Sequence, residues 1–464
     1  NRIRHIRYGN GVETAYTYDG DGNIRTLETR AGENVLLSFA YRYDGNGNRT
    51  AKTGMQAALG GITAGNNALD LSYNYDVRGQ LLEERRNGAS VCYAYDKAGN
   101  RIRKTDVQGE IRYLYNAKNQ LIAEESPADR KQFSYDRQGG IIEEKNAAGI
   151  RLFSYNSRHQ QTRVETETGS VQENRYDAEG LRFELLENGR RTSFVYHDGE
   201  LLQEEGREEQ KTSYHLGAGM EAFRRGQELS YYHRDEQLST ALVTDGHRNV
   251  QNSYQYDAFG MSLGTTEKLN NRIRYTGQQY DELTEQYYLR ARYYNPVAGR
   301  FMQEDVYQGD GLNLYAYCGN NPVVYYDPSG YYTALGNLFT DSVIETKGNS
   351  TDLKIAILKM ITGDADISDA TVGSHQAQHL IPNEFRNNIA VSVSGYQVDH
   401  ALNGILDINR NSSTPGALDN FLRNYNVSAE NMEFYISNKT QHGWAPGTSF
   451  YHGAYNEYVG SRLA

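Results

Sequence analysis

A Tyr-Asp dipeptide recurs along this chain, and its spacing limits what the chain can fold into. It stands at Tyr18-Asp19, Tyr43-Asp44, Tyr75-Asp76, Tyr95-Asp96, Tyr135-Asp136, Tyr176-Asp177 and Tyr256-Asp257, with degenerate copies at Tyr115-Asn116, Tyr155-Asn156 and Tyr196-His197. From Tyr75 the tyrosines fall at 75, 95, 115, 135, 155, 176 and 196, a step of 20 with one of 21. In each unit an alternating run ends in the dipeptide, a polar turn follows, and a second alternating run begins, as in Gln80-Leu81-Leu82-Glu83-Glu84. That reads as strand, turn, strand. Tyrosines two apart share one face of a strand, and Asp, Asn and Gly suit the turn. One hairpin cannot bury a core, but a long ribbon of them can. Residues 1–230 are therefore expected to be a structural β-array without chemistry of its own.

Composition agrees. The 464 residues include 39 Tyr and 46 Gly but only 7 Pro, which suits many hairpins with tight turns. No run approaches the ~18 apolar residues of a membrane-spanning helix. A net charge of −11 argues against nonspecific nucleic-acid binding by the whole surface. Cys92 and Cys318 are too few for a disulfide scaffold. The chain opens at Asn1 without a leader, so it is expected to be a piece of a longer protein with part of the array upstream.

The period breaks after about residue 200, and 231–331 is denser. Tyr231-Tyr232-His233-Arg234-Asp235 is followed by Arg274-Tyr275-Thr276-Gly277-Gln278, Leu289-Arg290-Ala291-Arg292-Tyr293-Tyr294-Asn295-Pro296, Asn313-Leu314-Tyr315-Ala316-Tyr317 and finally Asp327-Pro328-Ser329-Gly330-Tyr331. The array and this run resemble the rearrangement-hotspot (Rhs) family, which shares its tyrosine-aspartate (YD) repeats with toxin-complex C subunits and teneurins. The resemblance covers residues 1–331. It implies a spiral β-hairpin shell plugged by an Rhs-associated core, which cuts its own chain just after an Asp-Pro-x-Gly-Leu motif. By motif position the cutting pair would be Asp305 and Asp327, supported by Arg292, and the cut would fall at Tyr331–Tyr332. Of two close carboxylates, one can hold a proton as acid while the other activates water. Tyr331 stands where leucine is usual, and Val306 where proline often follows the first aspartate. The plainer reading is that both aspartates cap turns.

Composition shifts again at 332. The last 133 residues hold 7 of the 39 tyrosines but 5 of the 11 histidines, and 353–361, 417–423 and 454–463 read as helices. Residues 332–464 are thus expected to form a separate small α+β domain. Its centre is His375-Gln376-Ala377-Gln378-His379-Leu380-Ile381-Pro382, followed by Asp399-His400, Asn403-Gly404-Ile405-Leu406, His442 and His452-Gly453-Ala454-Tyr455-Asn456. This order resembles the HNH/His-Me finger (ββα-metal) nucleases, in the toxin branch marked by Ala-His-His. The resemblance implies His379 as general base, a role a neutral imidazole suits, with Asn403 orienting it. It implies His452 as metal ligand and His442 as a second candidate. Gln378 stands where the family has His and related branches have Asp. A neutral amide is a poorer ligand, which His375 is expected to offset. One divalent cation, Mg²⁺ ahead of Zn²⁺ or Mn²⁺, would stabilise the departing oxyanion.

The expected fold is thus mostly β, a shell with its core plug followed by a small α+β domain. The expected function is a secreted or surface toxin whose shell encapsulates a nuclease, frees it by self-cleavage and delivers it to a target-cell cytoplasm. Expected partners are nucleic acid, a cognate immunity protein and a delivery machinery. DNA is favoured over RNA by family analogy alone, and 8 basic against 13 acidic residues in 332–464 give no basic footprint. The alternatives are an RNase toxin and a non-enzymatic recognition protein of the teneurin type with a degenerate tail. An enzyme of another class lacks a nucleophile elbow or phosphate loop.

Overall fold

The computed structural model describes residues 2–59, 67–206, 211–217, 219–306 and 313–335, and the backbone of two further strands, His375–His379 and Gly404–Ile408. The chain divides into two compact units, Asn1–Thr340 and Asp341–Ala464. The expected helices at 353–361, 417–423 and 454–463 lie outside the described residues.

One repeat shows why the pattern folds as it does. After Tyr95, the Asp96 N–H donates to the Asn100 carbonyl at 2.9 Å and the Gly99 N–H donates to the Asp96 carbonyl at 3.1 Å. The Asp96 Oδ1 accepts the N–H groups of Ala98 and Asn100, both at 2.9 Å. The side chain thus satisfies donors that the tight turn leaves over. Gly99 sits at φ +77°, and Asn119 and His159 hold the same slot in later repeats at φ +59° and +63°. This explains why Gly or Asn usually closes the motif.

The tyrosine before the turn links neighbouring repeats. Tyr95 donates to the Leu81 carbonyl at 2.8 Å, Tyr115 to Arg101 at 2.8 Å, Tyr135 to Leu121 at 3.0 Å and Tyr155 to Ile141 at 2.9 Å. The ladder between Leu81–Arg86 and Ala89–Tyr95 stops at the Glu83–Cys92 pair. The Leu81 carbonyl lies beyond that last rung, where the strands diverge, and the phenol reaches it.

Among the described residues, twenty-five strands from His5–Arg7 to Ser262–Glu267 form one antiparallel meander. Each strand pairs with its neighbour in sequence. The sheet runs through the 230/231 division expected from sequence. What changes there is burial: all five residues of Thr240–Thr244 are buried, whereas earlier strands are only partly buried, Val12–Tyr18 on every second residue. The ribbon also returns on itself. Asn10 Nδ2 donates to the Asp245 carbonyl at 2.8 Å, Gln56 Nε2 donates to the Tyr254 carbonyl at 2.8 Å, and Arg49 pairs with Glu236 at 2.7 Å.

The described residues of 271–330 pack against this curled ribbon. They contain a four-stranded sheet of Gln279–Asp281, Gln286–Tyr288, Tyr293–Asn295 and Arg300–Phe301. The segment reaches one repeat after another. Asn321 donates to Asn48 at 3.0 Å, Asn320 to the Gly99 carbonyl at 2.7 Å, Arg300 to the Asn119 carbonyl at 2.7 Å and Tyr315 to the Gly139 carbonyl at 2.9 Å. Tyr287, Tyr288, Tyr293, Tyr294, Tyr315 and Tyr317 are fully buried in the result.

Candidate functional site

Arg292 draws the two expected aspartates together. Its Nη2 lies 2.7 Å from Asp305 Oδ2 and 3.7 Å from Asp327 Oδ2, and all three side chains are buried. The guanidinium lies over the Phe301 ring, 3.6 Å from its centroid, and its Nη1 donates to the Leu314 carbonyl at 3.0 Å. Its Nε donates to the Gly330 carbonyl. A planar fork with several fixed donors can hold two carboxylates and two carbonyls at once, which a lysine could not.

Asp327 serves two purposes. Its Oδ1 accepts the N–H of Ser329 at 3.0 Å and of Gly330 at 2.7 Å, so it does cap a turn. Its Oδ2 faces Arg292. The turn belongs to a hairpin in which Tyr325–Tyr326 pairs with Ala334–Leu335. The loop between these strands contains the Tyr331–Tyr332 peptide. Burial raises the pKa of both phenols. The charge of Asp305 adds to the rise at Tyr331 and that of Asp327 to the rise at Tyr332. The side chains on either side of the expected cut thus feel different carboxylates. Val306 is largely exposed, so nothing around it demands the proline usual there.

In the second unit, His375–His379 pairs antiparallel with Gly404–Ile408. His379 stands opposite Gly404 and Gln378 opposite Ile405, with His375 at the far end opposite Ile408. The sequence stretch carrying the expected base therefore pairs with the stretch that begins directly after Asn403. Two of the expected metal-donor positions, His375 and Gln378, lie on this strand together with the expected base, His379. Asn403, His442 and His452 lie outside the described residues. Among the described residues, no group of three His, Cys, Asp or Glu side chains could hold a metal ion.

A family model described as Teneurin YD-shell matches residues 57–323, more than half of the chain. The chain belongs to the teneurin YD-shell family. The match takes in both the repeat and most of the dense run that lines it. The tRNA3(Ser)-specific nuclease WapA of Bacillus spizizenii is 38% identical to this YD-shell chain over 181 residues, 35% of this chain and 8% of that protein. Toxin protein Tse5 of Pseudomonas aeruginosa is 49% identical over 59 residues, 12% of this chain and 4% of that protein. The chain thus spans a small part of these curated relatives. The crystal structure of TcdB2-TccC3-TEV aligns with 71% of this chain and 21% of that chain, at 17% identity and a TM-score of 0.35. Among the described residues, no helix is long and apolar enough to cross a membrane.

Sequence reasoning singled out Arg292 but passed over Arg290, two residues earlier, whose contacts reach the same loop. A signal was present: two arginines two apart in Leu289-Arg290-Ala291-Arg292, directly before a tyrosine pair. The arginine pair falls in the connection between the strands Gln286–Tyr288 and Tyr293–Asn295, with Arg290 at φ +64°.

Proposed function

We propose that this YD-shell chain is the carrier and warhead of a secreted toxin. The shell unit cuts its own chain at Tyr331–Tyr332, and the second unit hydrolyses phosphodiester bonds of target-cell nucleic acid. The observation that carries the first step is the buried Arg292 held between Asp305 and Asp327, beside the loop that contains the cut. Water adds to the Tyr331 carbonyl and the C–N bond breaks, leaving a carboxylate on Tyr331 and an amine on Tyr332. One aspartate takes the proton from water and the other supplies one to the leaving nitrogen.

For the second step, the pairing of the His379 strand with the strand after Asn403 supports His379 as general base, with Asn403 as its orienting partner. A divalent cation, Mg²⁺ first, would be held by His452 with Gln378, His442 and His375 as further donors. When bound it supplies Lewis-acid stabilisation of the leaving oxygen. DNA is the first substrate to test. RNA is the second reading, because the WapA relatives are named tRNA nucleases. An immunity protein and a delivery machinery belong to the same proposal.

The test uses the full chain with plasmid DNA and total RNA in Mg²⁺, beside His379→Ala and an EDTA control. Degradation lost in both controls supports the assignment. Intact DNA and RNA under Mg²⁺, Mn²⁺ and Zn²⁺ would refute the nuclease reading. Self-cleavage is read separately, as two fragments on a denaturing gel that Asp305→Asn abolishes.

A further inference from the structure

We infer that residues 289–292 form a backbone clamp on the cleavage loop, and that Arg290 ties this clamp to the wall of the shell. The inference rests on the self-cleavage reading above. Three consecutive residues donate to three consecutive carbonyls. Arg290 Nη1 donates to Pro328 O, the Ala291 N–H to Ser329 O at 3.1 Å, and Arg292 Nε to Gly330 O. The series ends on the residue just before Tyr331.

The clamp grips main chain and needs closeness more than any side-chain fit. At Gly330, φ is +79°, and an added Cβ would lie 2.5 Å from the Leu289 carbonyl and 2.9 Å from the Arg292 nitrogen. Only glycine permits that approach. A loop fixed by its carbonyls is presented in one conformation whatever side chain comes next. That is how a tyrosine can stand at 331 in place of leucine.

Arg290 also reaches the wall of the shell. Its Nε donates to the Gly199 carbonyl at 2.9 Å and its Nη2 pairs with Glu200 at 2.8 Å. Gly199 lies in the turn between the wall strands Arg190–His197 and Glu200–Glu205, and Glu200 opens the second of them. One guanidinium therefore bridges a wall hairpin and the cleavage loop. The loop reaches its clamped form only when that hairpin is in place, so cutting follows completion of this part of the shell. Arg290 touches no reacting atom and is a positioning residue. Its pair with Glu200 is partly exposed, 25% and 52% at the two side chains, and such pairs add little to stability. Loss of Arg290 should therefore register in cleavage and not in folding.

The test is a time course of self-cleavage in the full 464-residue chain made by cell-free translation, stopped in detergent and read on gels. Arg290→Met should slow cutting by about 10–100-fold, the effect of misplacing a reacting group by about 1 Å. Arg290→Lys should fall between, since one ammonium cannot reproduce the fork. The pH dependence of the Arg290→Met rate should keep its wild-type midpoint, because no titrating group has been removed. The urea midpoint, compared with and without Arg290→Met in an Asp305→Asn background so that both chains stay whole, should not move. Wild-type cutting by Arg290→Met would overturn the clamp, and so would slow cutting with a lowered urea midpoint. If the wild-type chain itself stays whole, the self-cleavage reading fails and the clamp with it, an outcome the wild-type lane alone reveals.

Discussion

Two tyrosines two residues apart should respond in opposite ways to the loss of a hydroxyl. Tyr95 donates to the Leu81 carbonyl at 2.8 Å, at a place where the strand ladder has already ended. Tyr95→Phe keeps the ring and its packing, removes one hydrogen bond and leaves a carbonyl without its donor. The expected loss is about 1 kcal/mol, and up to about 3 kcal/mol if the carbonyl stays dry. Tyr93 is buried, and its hydroxyl finds no protein partner among the described residues. Tyr93→Phe removes a polar atom that costs free energy to bury, so it should be neutral or raise stability by about 1 kcal/mol. The same substitution at Tyr115, Tyr135 and Tyr155 should cost as much as at Tyr95, since their bonds are equivalent. These rungs are two strands apart, roughly 9–10 Å, so the four losses should add nearly independently. Their sum of about 4 kcal/mol is a large part of a usual folding stability. Urea unfolding followed by far-ultraviolet circular dichroism measures each variant. If Tyr93→Phe and Tyr95→Phe lower the midpoint equally, the repeat values tyrosine for its ring alone and the rung argument is wrong.

Other variants probe the core and the site. Asp257 is pushed up to about 6 by burial and by the neighbouring Glu84. The folded state therefore binds its proton more tightly than the unfolded chain does. The matching stability is complete below pH ~4, the usual range for an unfolded Asp, and is lost as pH rises through about 6. Asp257→Asn should match wild type at pH 4 and exceed it at pH 8 in urea midpoint. Arg182 and Asp281 form a fully buried ion pair, and Arg272 also touches Asp281 at 3.1 Å. Arg182→Met should cost about 3 kcal/mol, the low end for a broken buried pair, because Arg272 remains. Glu173→Gln, in an exposed pair with Arg163, should change thermal stability by less than about 1 kcal/mol. Gly330→Ala should abolish the cleavage fragments on a gel, because the atoms its Cβ would strike are backbone and cannot swing aside.

The Tyr-Asp turn was legible in the sequence because it is local. Asp96, Ala98, Gly99 and Asn100 bond one another within five residues, and strand alternation follows from the same short range. The trio of Arg292, Asp305 and Asp327 was reachable only through resemblance, since nothing local sets Arg292 apart from other arginines. Arg290 was missed for a related reason. Its meaning lies in bonds to Gly199 and Pro328, residues 91 and 38 positions away. The strict repeat ends near residue 200, and the sheet continues to Glu267. Backbone pairing carries on after the side-chain pattern changes, because the ladder joins main-chain groups that every residue carries.

The sequence by itself determined that this chain is a meander of hairpins, where each turn falls, and which tyrosine precedes it. Periodicity, turn chemistry and φ preference act within one repeat and need no knowledge of the rest. The tertiary structure alone decided that the ribbon curls until Asn10 meets Asp245 and Arg49 meets Glu236. It alone decided that Arg300, Tyr315, Asn320 and Asn321 touch one repeat after another, and that one guanidinium spans a wall hairpin and the cleavage loop. Those contacts join residues far apart in the chain, and their formation depends on the summed twist of many strands, which no single repeat encodes.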